Sequence, residues 1–341
     1  MRHHNGNNRR EDSLAQPINT QYGFSRAVPT GQGITAGIRL LGISNDILVT
    51  VHGNHDVLVW SLVLNIPPQR LEIDVAIDQI TGIGASSTSS NIIALSFRVG
   101  AAHEVWIFDR IGRTGQAIFT TGLDLRSVQF SPDDRLLAWV SAGAIDVWER
   151  ITSTHIVTMR ENMQQRDGLP TSAFAFTPDS SRIAAMDRTG RLTSWDVASC
   201  SYEGESEANV AWNDNGREAV QLVADGKRVM AVSRQMESLL GWRLTTWWPE
   251  SGARAELDLD GCVYGCVPRD GGFVATVQAD GGRLRIRDTG NGACLNQSVQ
   301  GIAKIGKTPL MVVGAMATDG KTMVTQIASG RTTVWRLVAV G

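Results

Sequence analysis

Short apolar runs separated by turn residues give residues 130–150, FSPDDRLLAWVSAGAIDVWER, a pattern typical of β-strands. The preceding SVQF alternates apolar and polar positions, which predicts a strand with one buried face. LLAWVS is a nearly continuous apolar run, as expected of a strand covered on both faces. Pro132 and Asp133 suit a tight turn, and AGA supplies a second turn before IDVW. The stretch therefore predicts three consecutive antiparallel strands.

A closely similar sequence begins at Phe176, FTPDSSRIAAMDRTGRLTSWDV, and weaker repeats of it occur along most of the chain. A fixed period of this kind indicates a repeat architecture before any local propensity is considered. One marker of the period is an aspartate turn, which occurs at Asp46, Asp133, Asp179, Asp225, Asp270 and Asp319. The double gap after the first of these contains ASSTSSN, residues 85–91, so the pattern predicts seven turns.

A second marker is a strand that follows each turn and usually ends in tryptophan. These strands place the following residues at equivalent positions: Trp60, Trp106, Trp148, Trp195, Trp247, Arg287 and Trp335. The two markers stay in phase seven times, so each repeat is expected to be one structural unit. Only Trp195 is followed by aspartate, at Asp196, and the sixth repeat has arginine in place of tryptophan.

These residues resemble the WD40 repeat family in their period, their Ser/Thr-Pro-Asp turns and the Trp195–Asp196 pair. The resemblance covers about residues 30–341. It implies an all-β, seven-bladed WD40-like propeller with four-stranded antiparallel blades around a central channel. The family's Gly-His pair is absent, and its aspartate between the second and third strands is mostly missing. We therefore expect its Asp-His-Ser-Trp hydrogen-bond network to be missing from most blades.

The domain organisation follows from the same register. Residues 1–20, rich in Asn and Arg, are expected to form a disordered tail. Residues 21–341 are expected to form one propeller domain, in which residues 31–341 contain the seven repeats. The last repeat lacks an outer strand of its own, and residues 21–30, QYGFSRAVPT, have an extended character. We expect them to complete the seventh blade and so remove an open sheet edge.

Composition and charge restrict the cellular compartment and the kinds of binding partner that we expect. The formal charge of −2 and a pI near 6.3 give no general attraction to nucleic acid or anionic membranes, and the arginines are dispersed. No apolar stretch is long enough to span a membrane, and the first residues lack a signal-peptide pattern. The sequence therefore predicts a cytoplasmic protein that is not secreted, with the nucleus as an alternative compartment.

Three motifs resemble parts of enzyme, nucleotide or metal sites, but the propeller fold explains each of them better. HGNHD, residues 52–56, matches part of a metallophosphoesterase site, but no histidine lies beyond His155 to complete it. GQGITAG, residues 31–37, lacks the strand and helix of a dinucleotide loop. The cysteines lie in or beside predicted strands rather than in the tight pairs of a zinc site: Cys200, Cys262, Cys266 and Cys294. We predict no catalytic residue, metal or cofactor.

Two features exceed the needs of a propeller. The stretch GWRLTTWWPESG carries Trp242 and Trp248 on one strand face, and Trp248 follows the structural Trp247. Residues 153–172 form a long, polar connection containing Arg160 and Arg166. We predict that these tryptophans and arginines bind a partner protein, which would make the chain a non-catalytic scaffold and a subunit of a larger complex. Packing under a loop, or an ordinary outer strand, would explain them equally.

The alternative from another class is an enzyme with a site in the funnel at the channel mouth. Such a site needs His, Asp, Glu or Arg converging from the inner strands. Those strands, among them SVQFSP, AFAFTP and VVGAMA, are apolar and nearly uncharged. The composition of the inner strands thus favours the scaffold, although a fold alone does not determine a function.

Overall fold

The computed structural model describes residues 21–26, 38–44, 46–53, 56–62, 68–73, 76–89, 91–110, 114–160, 171–187, 190–207, 221–234, 241–268, 271–279, 283–297, 313–316, 322–326 and 332–340. Several predicted features lie outside these residues. They are the tail of residues 1–20, the stretch 31–37, Arg166, and the turn aspartates Asp270 and Asp319.

Four-stranded antiparallel sheets form six blades of a β-propeller. Their first strands are β2 (Ile38–Ile43), β6 (Gln79–Ala85), β10 (Leu125–Phe130), β14 (Thr171–Phe176), β18 (Gln221–Ala224) and β22 (Cys262–Cys266). Their second strands are β3 (Ile47–His52), β7 (Ile92–Val99), β11 (Leu136–Ser141), β15 (Arg182–Asp187), β19 (Val229–Arg234) and β23 (Phe273–Gln278).

Their third strands are β4 (Asp56–Ser61), β8 (Ala102–Asp109), β12 (Ala144–Glu149), β16 (Arg191–Asp196), β20 (Gly241–Trp248) and β24 (Leu284–Asp288). Their fourth strands are β5 (Gln69–Arg70), β9 (Thr114–Thr121), β13 (Thr154–Met159), β17 (Tyr202–Glu207), β21 (Ala253–Asp260) and β25 (Cys294–Gln297). Four further strands are β1 (Gln21–Arg26), β26 (Val313–Met316), β27 (Thr322–Gln326) and β28 (Thr332–Val340).

Within each blade the strands follow one another in sequence order, so every connection is a turn between neighbours. We number the blades 1 to 6 along the chain, from β2–β5 to β22–β25. First strands of neighbouring blades contact each other, as β2 contacts β6, β6 contacts β10 and β14 contacts β18. The first strands therefore line the centre and the fourth strands form the rim. The three strands predicted from residues 127–148 correspond to β10, β11 and β12.

The hydrophobic core lies between blades rather than within them. One cluster joins Ala138 and Val147 of blade 3 to Phe174 and Trp195 of blade 4. The other face of blade 3 packs Trp139 against blade 2. Second strands are consequently buried on both sides, and β3, β11 and β23 are buried at every residue. This burial explains their continuous apolar sequences and why one repeat cannot be stable alone.

The strand register identifies which residue anchors each blade. Trp60 lies opposite Leu48, the second residue of β3, and Trp148, Trp195 and Arg287 also lie opposite the second residue of the neighbouring second strand. Trp247 lies opposite Val229, the first residue of β19. In blade 2 this position, opposite Ile93, belongs to Phe108, two residues beyond the predicted Trp106. Trp106 packs beside it, with ring centroids 5.9 Å apart. The backbone register also places Trp335 of β28 opposite Met323.

Blade 1 has a hydrogen-bonded tryptophan anchor, but its partners differ from those of the Asp-His-Ser-Trp network described above. Trp60 Nε1 donates to Thr50 Oγ1 at 2.9 Å, and the same hydroxyl lies 3.0 Å from His52 Nε2. By contrast, the indole nitrogens of Trp148 and Trp247 are buried without a hydrogen-bond partner among the described residues. These two anchors are held by apolar contacts, in agreement with the expected loss of the network from other blades.

One buried carboxylate joins blades 2 and 3. Asp134, in the turn between β10 and β11, is 4% exposed and has a φ of 58°. It accepts hydrogen bonds from the backbone N–H groups of Ser87 and Thr88 at 3.0 and 2.9 Å, and from the hydroxyls of Ser86 and Thr88. We call this arrangement the Asp134 clamp. It satisfies a buried charge with donors from the preceding blade, so the two turns form one unit.

Candidate functional site

The antiparallel order of the strands divides the connections between two faces of the propeller. Turns from first to second strands, and from third to fourth strands, lie on one face, which we call the Asp-turn face because it carries Asp133, Asp179 and Asp225. Connections from second to third strands, and from one blade to the next, lie on the opposite face. A residue's place between strands therefore decides the face on which it is found.

The aspartate turns are rigid because each carboxylate caps backbone groups of its own turn. Asp133 accepts from the Ser131 hydroxyl at 2.6 Å and from a backbone N–H two residues later at 3.2 Å. Asp179 does the same with the Thr177 hydroxyl at 2.6 Å. Asp225 accepts from two backbone N–H groups, at 2.9 and 2.6 Å. These are the side-chain-to-backbone bonds predicted for such turns.

Electrostatics agrees with this geometry. The hydroxyl of Thr177 is the main cause that lowers the pKa of Asp179, and a backbone N–H adds to the effect. For Asp133, burial acts to raise the pKa, but hydrogen bonds from Ser131 and from the turn outweigh it and the pKa is lowered. Hydrogen bonds from the Ser199 hydroxyl and N–H lower the pKa of Asp196. All three carboxylates are held ionised as structural caps.

The predicted tryptophan pair is divided between core and surface. Trp242 is 5% exposed, belongs to the core between blades 5 and 6, and packs edge to face against Tyr264 with centroids 5.9 Å apart. Trp248 is half-buried at the end of β20 on the Asp-turn face. Because alternate residues point to opposite sides of a strand, both face blade 6, whereas Trp247 packs toward blade 4. Contact with a partner is possible only through Trp248.

The predicted arginines belong to the other face. Residues 154–159 of the long connection form β13, an ordinary outer strand, so this alternative explains that part of the connection. Arg160 follows β13 directly, is exposed, and lies on the face opposite to Trp248. Arg166 lies outside the described residues. The structure therefore does not bring Arg160 and Trp248 together into one site.

An exposed isoleucine on the Asp-turn face was missed by the sequence reasoning. Ile151 occupies the turn between β12 and β13 in blade 3 and is 76% exposed. Tyr202, at the start of β17 in blade 4, is 48% exposed and packs edge to face on Trp195. With Trp248 in blade 5, three consecutive blades present an apolar side chain on this face. The only sequence signal was an isoleucine in a turn that otherwise reads ERITST.

A shallow groove opens on the same face between blades 4 and 5. Its lining includes Arg182, Lys227, Arg228 and Pro249. The Arg182 guanidinium lies 3.1 Å from a Glu203 carboxylate oxygen, and Arg228 is paired with the aspartate of its own turn at 2.7 Å. Two of the three cations are therefore already compensated, so the groove does not stand out as an anion site.

Cysteines and acidic groups form no metal centre in the part of the chain that the structure describes, where no three metal-binding side chains come together. Cys262 and Cys266 are buried in β22, and burial raises the pKa of both thiols. Cys200 and Cys294 are exposed and separate from them. In the HGNHD motif, His52 of β3 pairs with Asp56 of β4 and Gly53 has a φ of 58°, while Asn54 and His55 lie outside the described residues. This agrees with its interpretation as a turn.

No protein-family model matches this chain, and no curated protein sequence does either. Within the described ranges, no helix has the length and apolar character needed to cross a membrane. The structure supports a β-propeller class with four-stranded blades, and the relation to the WD40 family remains a prediction based on the repeat.

Proposed function

We propose that this chain is a seven-bladed, WD40-like propeller, closed by its N-terminal strand, that acts as a non-catalytic platform for binding other proteins. Its rigid Asp-turn face would present apolar side chains to a partner within a larger complex. The platform would need no cofactor.

The closed ring is supported by strand pairing. Strand β1 pairs antiparallel with β28, from Gln21 opposite Val340 to Arg26 opposite Trp335, which makes β1 the outer strand of a sheet with β26, β27 and β28. The first strand of this sheet, β26, contacts β2 of blade 1 and β22 of blade 6. A seventh blade in this position would leave no open side between blades 6 and 1.

The platform is supported chiefly by the 76% exposure of Ile151. Burying an isoleucine side chain stabilises a protein by about 1.5–3 kcal/mol, so leaving one exposed forgoes that contribution. Asp134 and Glu149, in adjoining parts of blade 3, are engaged in hydrogen bonds that keep the surrounding turns fixed. An apolar side chain on a hydrogen-bonded turn requires less backbone ordering when it binds than one on a mobile loop, which favours its use as an interface anchor.

The test is a capture experiment with a photocrosslinker at two positions and two matched substitutions. A photoreactive amino acid at position 151 should crosslink a partner from the native lysate, and the same group at Leu123 should not. Leu123 is 50% exposed but lies on the opposite face, before β10. Unlabelled Ile151→Asp should weaken capture of that partner by about tenfold or more, since about 1.4 kcal/mol corresponds to tenfold in affinity. Leu123→Asp should leave capture unchanged.

Trp248→Ala tests the second anchor. If Trp248 contacts the partner, the variant binds less while its melting temperature is unchanged. A lower melting temperature with the same proteins captured would assign Trp248 to the interface between blades. Equal crosslinking at positions 151 and 123, or capture that survives Ile151→Asp, would contradict the proposal that the Asp-turn face binds the partner.

A further inference from the structure

One carboxylate on the rim of blade 3 is largely covered but has no lysine or arginine beside it. The side chain of Asp146 in β12 is 13% exposed, and the hydroxyl of Thr158 in β13 donates to its Oδ1 atom at 2.6 Å. His155 Nε2 lies 3.0 Å from the same hydroxyl and 3.8 Å from that Oδ1 atom. Among the described residues, no lysine or arginine forms an ion pair with Asp146. Covering a carboxylate without a countercharge is unfavourable, so a cation bound here would offset that cost.

A β-bulge brings the histidine to this carboxylate. His155 and Thr158 are three residues apart, and on a regular strand such residues point to opposite sides. The pairing of β12 with β13 skips Ile156, so His155 lies opposite Trp148 while Thr158 lies opposite Asp146. Asp146 and Trp148 are two residues apart and share one side of β12. The bulge therefore places all the polar groups of this cluster on the same side of blade 3.

The same bulge occurs in blades 2, 4 and 6, so it belongs to the fold and only its side chains distinguish blade 3. The residues that correspond to His155 in these blades are Ala117, Tyr202 and Cys294. In blade 2 the counterpart of Asp146 is Glu104, which already accepts a hydrogen bond from the indole nitrogen of Trp106 at 2.6 Å. Within the described strands, this bulge sets a histidine beside a carboxylate only in blade 3.

The three polar atoms have the spacing of ligands that share one metal ion. Their separations define a triangle whose corners lie about 1.9 Å from a common point, so an ion just above that point would be about 2.1 Å from each atom. An imidazole nitrogen combined with oxygen donors suits zinc, whereas magnesium and calcium prefer oxygen ligands alone. We propose that His155, Asp146 and Thr158 bind a divalent transition-metal ion, for which Zn²⁺ is the best match.

The bound ion would join the outer strand of blade 3 to its third strand and balance the charge of Asp146. Zinc sites with three protein ligands keep a further position for water or another molecule. The His155 side chain is 43% exposed, so an ion can reach the site from solvent.

A second histidine–aspartate pair, in blade 2, provides a matched control. His103 Nδ1 lies 3.9 Å from Asp124 Oδ1, which resembles the spacing in blade 3. Arg126, however, also pairs with Asp124, at 2.6 Å, and the Leu125 N–H donates to the same histidine nitrogen at 3.5 Å. Because a guanidinium already balances this carboxylate, we expect it not to bind zinc.

Isothermal titration calorimetry of the full-length chain with ZnCl₂ tests the site. Asp146→Asn removes the charge and keeps the size of the side chain, and His155→Gln removes the nitrogen ligand. Each should raise the Kd for zinc by about tenfold or more. Asp124→Asn and His103→Gln make the same changes in the control pair and should bind zinc like wild type. The melting temperature of each variant without zinc shows whether it is folded.

Thermal unfolding provides a second readout. Zinc should raise the melting temperature of wild type and of the blade 2 variants, but not that of the blade 3 variants. Zinc binding that both blade 3 variants leave unchanged would belong elsewhere, for example to His3 and His4, and would overturn the proposal. So would the absence of zinc binding, or an equal stabilisation by MgCl₂, which would indicate general screening of the carboxylate rather than a site.

Discussion

Removing the carboxylate of Asp134 should destabilise the propeller more than any single turn substitution at an equivalent position. The carboxylate accepts four hydrogen bonds from residues 86–88 of the preceding blade. Hydrogen bonds to charged groups contribute about 1.5–3 kcal/mol each, but they are not additive, and water can reach the exposed Thr88 donors once the carboxylate is gone. We expect Asp134→Gly to lower the free energy of unfolding by about 2–4 kcal/mol.

Glycine is the informative substitution because the position has a φ of 58°, which glycine adopts without strain. The matched control is Ser180→Gly in blade 4, where the φ is 62° and the hydroxyl accepts one bond, at 3.3 Å from the Asp133 nitrogen. The control should lose less than about 1 kcal/mol. Urea unfolding followed by tryptophan fluorescence measures both. Losses that agree within about 0.5 kcal/mol would refute the role given to the clamp.

Three further results are expected. Thr177→Val removes the hydroxyl that lowers the pKa of Asp179, so it should reduce stability above the ordinary pKa of 3.8, and this pH-dependent part of the difference from wild type should be lost as pH falls through the lower folded value. A constant difference should remain at low pH, because the same hydroxyl also accepts a hydrogen bond from the Arg182 N–H at 3.0 Å. Gly84→Ala should destabilise by about 1–3 kcal/mol, because its Cβ would lie 2.9 Å from the Val128 carbonyl, whereas Gly122→Ala meets no atom within 4 Å and serves as the control in thermal unfolding. Mass spectrometry after brief thiol alkylation of the native protein should find modification only at the two exposed cysteines, Cys200 and Cys294; labelling of the buried pair before unfolding would contradict this.

The sequence predicted the blade architecture well because two physical requirements recur in every repeat. Second strands must be apolar on both faces, and the tight turns require a side chain that caps the backbone, as Asp133 and Asp179 do. The prediction placed the anchor of blade 2 at Trp106 rather than Phe108, because these two residues are two positions apart and face the same side of β8. Period-two patterning alone cannot distinguish two aromatic residues on one strand face.

The candidate interface was predicted less well, again for a physical reason. Outer strands have one free edge and little cover, so β13 lacks the apolar pattern that marks an inner strand, and the sequence left residues 153–172 open between a binding loop and an ordinary outer strand with a linker. Without β13 in place, Arg160 could not be assigned to a face. Ile151 escaped notice because an isolated apolar residue in a turn is common, and its exposure becomes informative only when the surrounding turn is known to be rigid.

The two largest departures from the repeat, an additional Trp248 and the replacement of an anchor by Arg287, lie on opposite sides of the same interface. Gly265 faces blade 5, since a Cβ there would lie 3.0 Å from Val232. Gly265 pairs with Thr276, which in turn pairs with Arg285, so Arg285 and Arg287 also face blade 5.

Trp248 faces blade 6 from the end of β20, and Arg287 faces blade 5 from the end of β24, both beside the Asp-turn face. The aromatic residue absent from one side of this interface is therefore present on the other side. Such an exchange preserves apolar surface between the blades, and the aliphatic stem of Arg287 can contribute packing of its own. Trp248 therefore has a role in packing between blades whether or not a partner also contacts its exposed part. Because of this role, the stability of Trp248→Ala must be measured together with its binding.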